Sequence, residues 1–439
     1  AQRESMPAPL PRFAALAYCL PALGLALLVL PLQLAAPHFY QEVHGLDLTA
    51  LAIIVLTVRL LDVLLAPVVG LVSDRLRTRF GRRRPLLVLL VIPLAGGAAM
   101  AMDPVPGAGM VWFTLAFSLA LILTTAVAVN HEALGLDLIG GYDRRTRVWA
   151  LRDGCFLLAA LILVLTWNPL APMARGWLSS WVPLAIPFTV VSIFLCVRAL
   201  PENRHAQEED RSPSTIGQDL KAAMQSRTFL SLCGVHSLAI AGLAFQLTLA
   251  PAYLDEVVRL NGEDALPMAL GCALAGLIVW SLMAPRWEKL TGLRVALSIW
   301  ITAHAGWWYL EVGDQRGLLQ LAGLSGFASG GVLCMSSALF ADTPALVRRA
   351  HGHRLEGLHS GLWMGTRKVP AMAAAALTLW ALQRIGGGSE EAATDAGRKI
   401  LRTLFSSGPA ALGALALAAT YAVRLNRRLV RSLGTTLGD

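Results

Sequence analysis

The chain has 439 residues, of which 56% are hydrophobic and only 15% charged, with a net charge of +9. So apolar a composition excludes a soluble globular domain and reads as a polytopic membrane protein. The positive residues stand in short loops between apolar runs, with no basic soluble domain, so no nucleic acid is expected as a partner.

A helix needs about 20 apolar residues to cross the hydrocarbon, and twelve runs meet that need. The first, 13–36, follows Arg3 and Arg12. It is too long for the apolar part of a signal peptide and leads straight into further spans, so it reads as a retained first helix. Spans follow at 48–73, 85–102, 110–133, 148–170 and 181–199. A polar stretch from Pro201 to Arg227 then reads as a cytoplasmic linker, with one short amphipathic helix around Ile216 to Met224. Six more spans lie at 229–253, 265–284, 295–312, 317–341, 358–383 and 404–423. The expected architecture is all-α and integral to the membrane. It has twelve transmembrane helices in two six-helix bundles, residues 1–200 and 228–439, joined by the linker 201–227.

Loop charges set the orientation. The turn after the second span holds six arginines, Arg75, Arg77, Arg79, Arg82, Arg83 and Arg84, and Arg144, Arg145 and Arg147 follow the fourth. The loops 37–47 and 103–109 on the other side hold no Lys or Arg. Both termini are therefore expected in the cytoplasm of a multi-pass plasma membrane protein, in the inner membrane if the source is bacterial. The loop 384–403 carries Arg384, Arg398, Lys399 and Arg402 against this trend.

The six cysteines, Cys19, Cys155, Cys196, Cys233, Cys272 and Cys334, fall singly within apolar runs. That argues against disulfides and a zinc site, and no metal or cofactor is expected. His131, His236 and His304 have no helical carboxylate or histidine partner and read as packing residues. Trp307, Trp308 and Tyr309 read as an interfacial belt.

The stretch Arg59 to Pro85 carries the most specific pattern. Gly70-x-x-x-Asp74-Arg75, followed by Gly81-Arg82-Arg83-Arg84, resembles the signature between helices two and three of the major facilitator superfamily. Here Gly70 permits close helix approach, while Asp74 is suited to bond the arginines and a neighbouring helix N-terminus. Gly70, Asp74, Arg75, Gly81, Arg82 and Arg83 are thus expected to latch one transport state. The bland alternative is a solvated positive loop.

A narrower likeness rests on three segments: the insertion between Asp74-Arg75 and Gly81 to Pro85, ALGLDLIGGYDRRTRVWALR from Ala133 to Arg152, and HRLEGLHSGLWMGTRK from His353 to Lys368. Together they resemble the glycoside-pentoside-hexuronide:cation symporters, the melibiose permease group. That resemblance implies a sugar and cation site, from which this chain departs. Asp62 matches the first of the family's two helix-two carboxylates, but Ala66 stands at the second. Ala22 and Ala128 stand where acids of helices one and four are expected, and Lys368 matches the helix-eleven lysine.

The departures bear on chemistry. Sodium needs several oxygen ligands with net negative charge, and a sugar needs several fixed hydrogen-bond acceptors. A proton is therefore expected ahead of sodium as the coupling ion. The remaining intramembrane charges are Arg59, Asp62, Glu132, Arg152, Asp153, Arg367 and Lys368, and such groups are functional by default. Asp62, paired with Lys368 or Arg59, is the candidate coupling switch, against a permanent structural ion pair. Arg59, Glu132, Arg152 and Trp363 are candidates for the substrate cavity, although Glu132 also suits a snorkelling role and Arg152 an anchor for Asp153 or Glu132.

These readings point to a secondary active transporter moving a small organic solute by alternating access, in proton- or cation-coupled symport. An anionic or amphiphilic solute suits the surplus of cations. Its partners are that solute, a coupling proton or sodium, and membrane lipid, and the chain is expected to be a monomer. No nucleophile or phosphate-binding motif suggests an enzyme. Alternatives on the same scaffold are a lipid or lysolipid flippase and a non-transporting assembly factor.

Overall fold

In a computed structural model, residues 11–166, 177–200, 215–260, 262–352, 354–384 and 395–436 are described. The first half contains α1 (Arg12–Leu34), α2 (Ala36–His44), α3 (Leu48–Arg75), α4 (Arg84–Met102), α5 (Met110–Leu138), α6 (Tyr142–Thr166) and α7 (Trp177–Ala199). Helix α8 (Ile216–Gln225) lies on the link between halves. The second half contains α9 (Arg227–Ala252), α10 (Ala265–Met283), α11 (Lys289–Gly306), α12 (Gln315–Phe340), α13 (Thr343–His351), α14 (Glu356–Arg384), α15 (Asp395–Ala419) and α16 (Arg427–Thr436).

Twelve of these have 18 to 29 residues, about 27 to 44 Å at the helical rise. Ten of the candidate spans among the described residues are both long and apolar enough to cross a membrane. The other two long helices, α11 and α14, carry more charge at their ends and middle. Lys289 and Arg294 lie on α11, and Glu356, Arg367 and Lys368 on α14. Hydrocarbon tolerates such groups only where they face protein or a watery cavity, so the charged faces of these helices turn inward.

Helix ends follow local chemistry. Asp47 starts α3 by accepting from the Ala50 N–H at 2.7 Å, and Ser226 and Asp314 do the same for α9 and α12. Helix α8 begins with a reciprocal capping box between Thr215 and Gln218 and runs over nearly the residues expected. Elsewhere the sequence boundaries shift. The stretch 37–47, expected as a loop, is mostly helix α2, because Phe39, Tyr40 and His44 pack as an aromatic cluster with Phe113. The span expected at 295–312 begins at Lys289 and ends at Gly306. It starts early because Lys289 is neutralised inside the protein, as described below. The linker residues before Thr215 and the loop 385–394 lie outside the described residues.

The halves meet most closely where α3 crosses α14. A Cβ on Gly70 would stand 2.1 Å from the Gly357 carbonyl oxygen, and one on Gly361 would stand 2.4 Å from that of Ala66. Backbone therefore rests on backbone, a contact that small residues permit between membrane helices. Helix α6 of the first half also lies against α10 and α12 of the second.

Candidate functional site

At the arginine-rich end, Arg83 organises a buried network. Its Nη2 donates to Asp74 Oδ1 at 2.8 Å, its Nε to Asp137 Oδ2 at 2.6 Å, and its Nη1 to Ser73 Oγ at 2.8 Å. Ser73 Oγ in turn donates to Asn130 Oδ1 at 2.6 Å. Asp74 then reaches across the halves. Its two oxygens accept from the backbone N–H groups of Gly357 and Leu358, each at 2.8 Å. These donors belong to the first turn of α14, which has no internal acceptors for them, and the helix dipole favours an anion there. Gly81, at φ 93°, makes the turn that returns the chain for α4, and Arg82 is buried beside it. Arg75 is half exposed and pairs with Asp219 of α8 at 2.8 Å, tying the linker helix to the same corner.

A second set of ions lies beside it. Lys289, wholly buried, donates to Asp342 Oδ2 at 2.6 Å, and Arg145 of the first half reaches Asp342 Oδ1 at 3.3 Å. Tyr142 accepts from the Lys289 backbone N–H and lays its ring 3.8 Å from the ammonium. Arg427 of α16 bonds Asp143 at 3.4 Å and the Pro285 carbonyl at 2.6 Å. Bonds across the halves thus hold their arginine-rich ends together.

Deeper in the membrane, the expected charges fall into two groups. Asp62 is buried, at 2% exposure, and its Oδ2 lies 2.5 Å from Lys368 Nζ. Lys368 also donates to Thr125 Oγ1 at 2.5 Å. Arg59 stands one turn before Asp62 on α3. Among the described residues, Asp62 Oδ1 and Arg59 Nε have no hydrogen-bond partner. The ammonium comes from α14, whereas its partners come from α3 and α5, so this bond too joins the halves.

The second group lies within the first half. Arg152 donates from one Nη to Glu132 Oε1 at 2.9 Å and from the other to Asp153 Oδ1 at 2.7 Å. Its guanidinium rests 4.0 Å from the Trp149 ring, a cation–π contact that fixes its plane. One oxygen on each carboxylate and the Tyr18 hydroxyl remain without a protein partner among the described residues. Buried groups of this kind take up water or a polar ligand.

Trp363 stands apart from both groups. It is fully buried between Phe340 and His236, with ring centroids at 4.5 and 4.3 Å, and so presents no face to a solute in this conformation. Arg367, one turn further along α14, keeps Nε and one Nη unpartnered among the described residues. Sequence reasoning did not single out Thr125, Asn130, Asp137, Lys289 or Asp342. The GLDLIGG stretch did contain Asp137, but nothing in its spacing revealed the bond to Arg83.

Twelve helices of membrane-spanning length among the described residues, six on each side of the link and joined across it by ion pairs, are the arrangement of a secondary transporter of the major facilitator class. The chain belongs to the MFS/sugar transport protein family, whose pattern matches residues 17–427. Its relatives are transporters, not enzymes. An uncharacterised symporter of Synechocystis sp. is 23% identical over 425 residues, covering 75% of this chain and 78% of that one. An isoprimeverose transporter of Lactiplantibacillus pentosus is 25% identical over 193 residues, 42% of this chain and 40% of its own. Among solved structures, the fucose:proton symporter of Escherichia coli superposes with a TM-score of 0.68 at 13% identity, covering 94% of this chain and 98% of that one. The human organic anion transporter MFSD10 superposes with a TM-score of 0.63 at 17% identity, covering 93% and 97%. Likeness at such identities establishes the fold.

Proposed function

We propose that the protein carries a small organic anion across the membrane by alternating access of its two halves, in symport with a proton, and that Asp62 and Lys368 form the coupling switch. The observation that supports this best is Lys368, which reaches from the second half to Asp62 and Thr125 of the first, at 2.5 Å each. A carboxylate bonded to an ammonium stays ionised. When a bound anion draws that cation away, the carboxylate takes up a proton. Solute and proton then load together, and the bond between halves at mid-membrane is released.

The unpartnered nitrogens of Arg59 and Arg367 support an anionic solute, because a guanidinium away from water gains most from a carboxylate or similar group. Glu132, Arg152 and Asp153 would line the first-half side of the path. Ala22, Ala66 and Ala128, which replace acids of the melibiose permease pattern, speak against the neutral sugar and the sodium site of that group. The name of the fucose:proton symporter agrees with a proton, and that of the organic anion transporter with an anion. In this reading the protein is a monomer divided into 1–200, 201–227 and 228–439. Its arginine-rich end is cytoplasmic, so Gly70, Asp74, Arg75, Gly81, Arg82 and Arg83 latch the cytoplasmic gate.

The test is thermal unfolding of the purified protein against organic anions, neutral sugars and lysolipids, at two pH values and with sodium or potassium. A ligand at 100 times its dissociation constant adds about 2.7 kcal/mol. Stabilisation by an organic anion that depends on pH and not on sodium is the expected outcome. A sodium-dependent sugar, or lysolipid alone, would overturn the assignment.

A further inference from the structure

The network around Arg83 contains more acid than base. Asp74, Asp137 and Glu356 all face this one guanidinium. Asp74 accepts from Arg83 and from two backbone N–H groups, and Asp137 accepts from Arg83 Nε at 2.6 Å. Glu356 is left over. It is 5% exposed, its Oε2 is 4.0 Å from the nearest Arg83 nitrogen, and that oxygen has no hydrogen-bond partner among the described residues. Glu356 lies at the arginine-rich tip of α14, two residues before the apolar span that begins at 358.

We propose that Glu356 is a proton-binding site of the gate, separate from the Asp62 switch, which holds a proton while the arginine-rich ends are together and releases it when they part. Three carboxylates against Arg83 and the neighbouring Arg354 leave an excess of negative charge in a water-poor corner, and protonating the worst-bonded of them reduces it. Asp74 accepts from Arg83 and two backbone N–H groups and Asp137 accepts from Arg83 Nε, whereas Glu356 Oε2 accepts from no group among the described residues. The proton therefore falls to Glu356. Parting the halves takes Asp74 away from α14 and lets water reach Glu356, which then ionises.

Charged and titratable groups surround Glu356, including His359 one turn along α14 and Arg348 of α13, whose neighbour Val347 packs on Leu355 and Leu358. From α3 come Asp74 and Arg75, the latter bound to Asp219 of α8. Arg83 comes from the head of α4 and Asp137 from the end of α5. Arg354 stands just before Glu356 in the turn ahead of α14. On α9, Arg227 is exposed, and His236 lies two turns deeper against Trp363. Burial, followed by Asp137 and Asp74, pushes the Glu356 carboxyl up to about 7, against the smaller opposing pull of Arg83 and Arg354. In water the carboxyl returns to about 4.3. The closed gate therefore binds the proton that the open gate gives up. It is favoured as pH falls through 7, with no further gain below the ordinary carboxylate range.

The experiment uses the full chain with its native cysteines replaced by alanine and spin labels on Arg79→Cys and Arg286→Cys, exposed positions in opposite halves at this end. Electron–electron distance distributions report the closed-to-open ratio without any ligand. That ratio is expected to rise about tenfold between about pH 8 and about pH 6. Asp62→Asn should keep the response, and Glu356→Gln should abolish it while holding the gate closed at the higher pH. A ratio indifferent to pH, or a response that survives Glu356→Gln or vanishes with Asp62→Asn, would overturn the proposal. If Glu356→Gln does not fold, infrared titration of the parent protein decides. A protonated carboxyl that ionises with a midpoint near 7 supports the site, and its absence refutes it.

Discussion

Asp74 Oδ2 accepts a hydrogen bond from the backbone N–H of Leu358 at 2.8 Å, across 284 residues of sequence. The same carboxylate holds Arg83 and the Gly357 N–H. One side chain thus caps a helix of the opposite half and binds the buried arginine of its own half. Parting the halves breaks the cap, so the closed conformation depends on this residue.

Replacing Asp74 by alanine should leave Arg83 with one fewer carboxylate and two N–H groups of α14 uncapped. Breaking a buried pair costs about 3 to 5 kcal/mol, and here the loss falls on the closed state. The labelled pair Arg79→Cys and Arg286→Cys should move to longer distances. An unchanged distribution would show that the latch is only a solvated loop.

Gly361→Val should push α3 from α14, because even a Cβ would stand 2.4 Å from the Ala66 carbonyl oxygen. Backbone cannot yield as a flexible side chain does, so a cost of about 1 to 3 kcal/mol is expected. Thermal unfolding should report it as a lowered midpoint. A neutral result would mean that the helices do not approach this closely.

Arg152→Gln should strand Glu132 and Asp153 in the first-half interior and destabilise the protein strongly, by about 3 to 5 kcal/mol. Adding Glu132→Gln should recover part of that loss, since one of the two unpaired carboxylates is then removed. If the double variant is no more stable than Arg152→Gln alone, the pair is not the source of the effect.

Much of this arrangement can be read from sequence because intramembrane charges have few options. Asp62 needs a cation, and Lys368 and Arg59 were the candidates. The structure pairs it with Lys368, with Arg59 one turn away. Arg152, considered as an anchor for Asp153 or Glu132, holds both at once. The bonding of Asp74 to an arginine and to a helix N-terminus likewise follows from its type and place. Other features depend on the direction a side chain takes on its helix. Trp363 and Lys368 share α14, five residues apart, yet Trp363 turns into the core and Lys368 towards the other half. Lys289 reads as a loop cation until Asp342, 53 residues away, is placed beside it. The charge surplus around Arg83 was equally hidden, since Asp137 and Glu356 come from segments far apart in the chain.

The most direct test of the coupling claim is proton uptake by weakly buffered, purified protein on addition of the organic anion that most raises its unfolding temperature. The parent protein should take up about one proton per molecule as the anion draws Lys368 from Asp62. Asp62→Asn should bind the same anion and take up none. Binding without proton uptake by the parent, or equal uptake by Asp62→Asn, would contradict the account and leave Asp62 and Lys368 a structural pair.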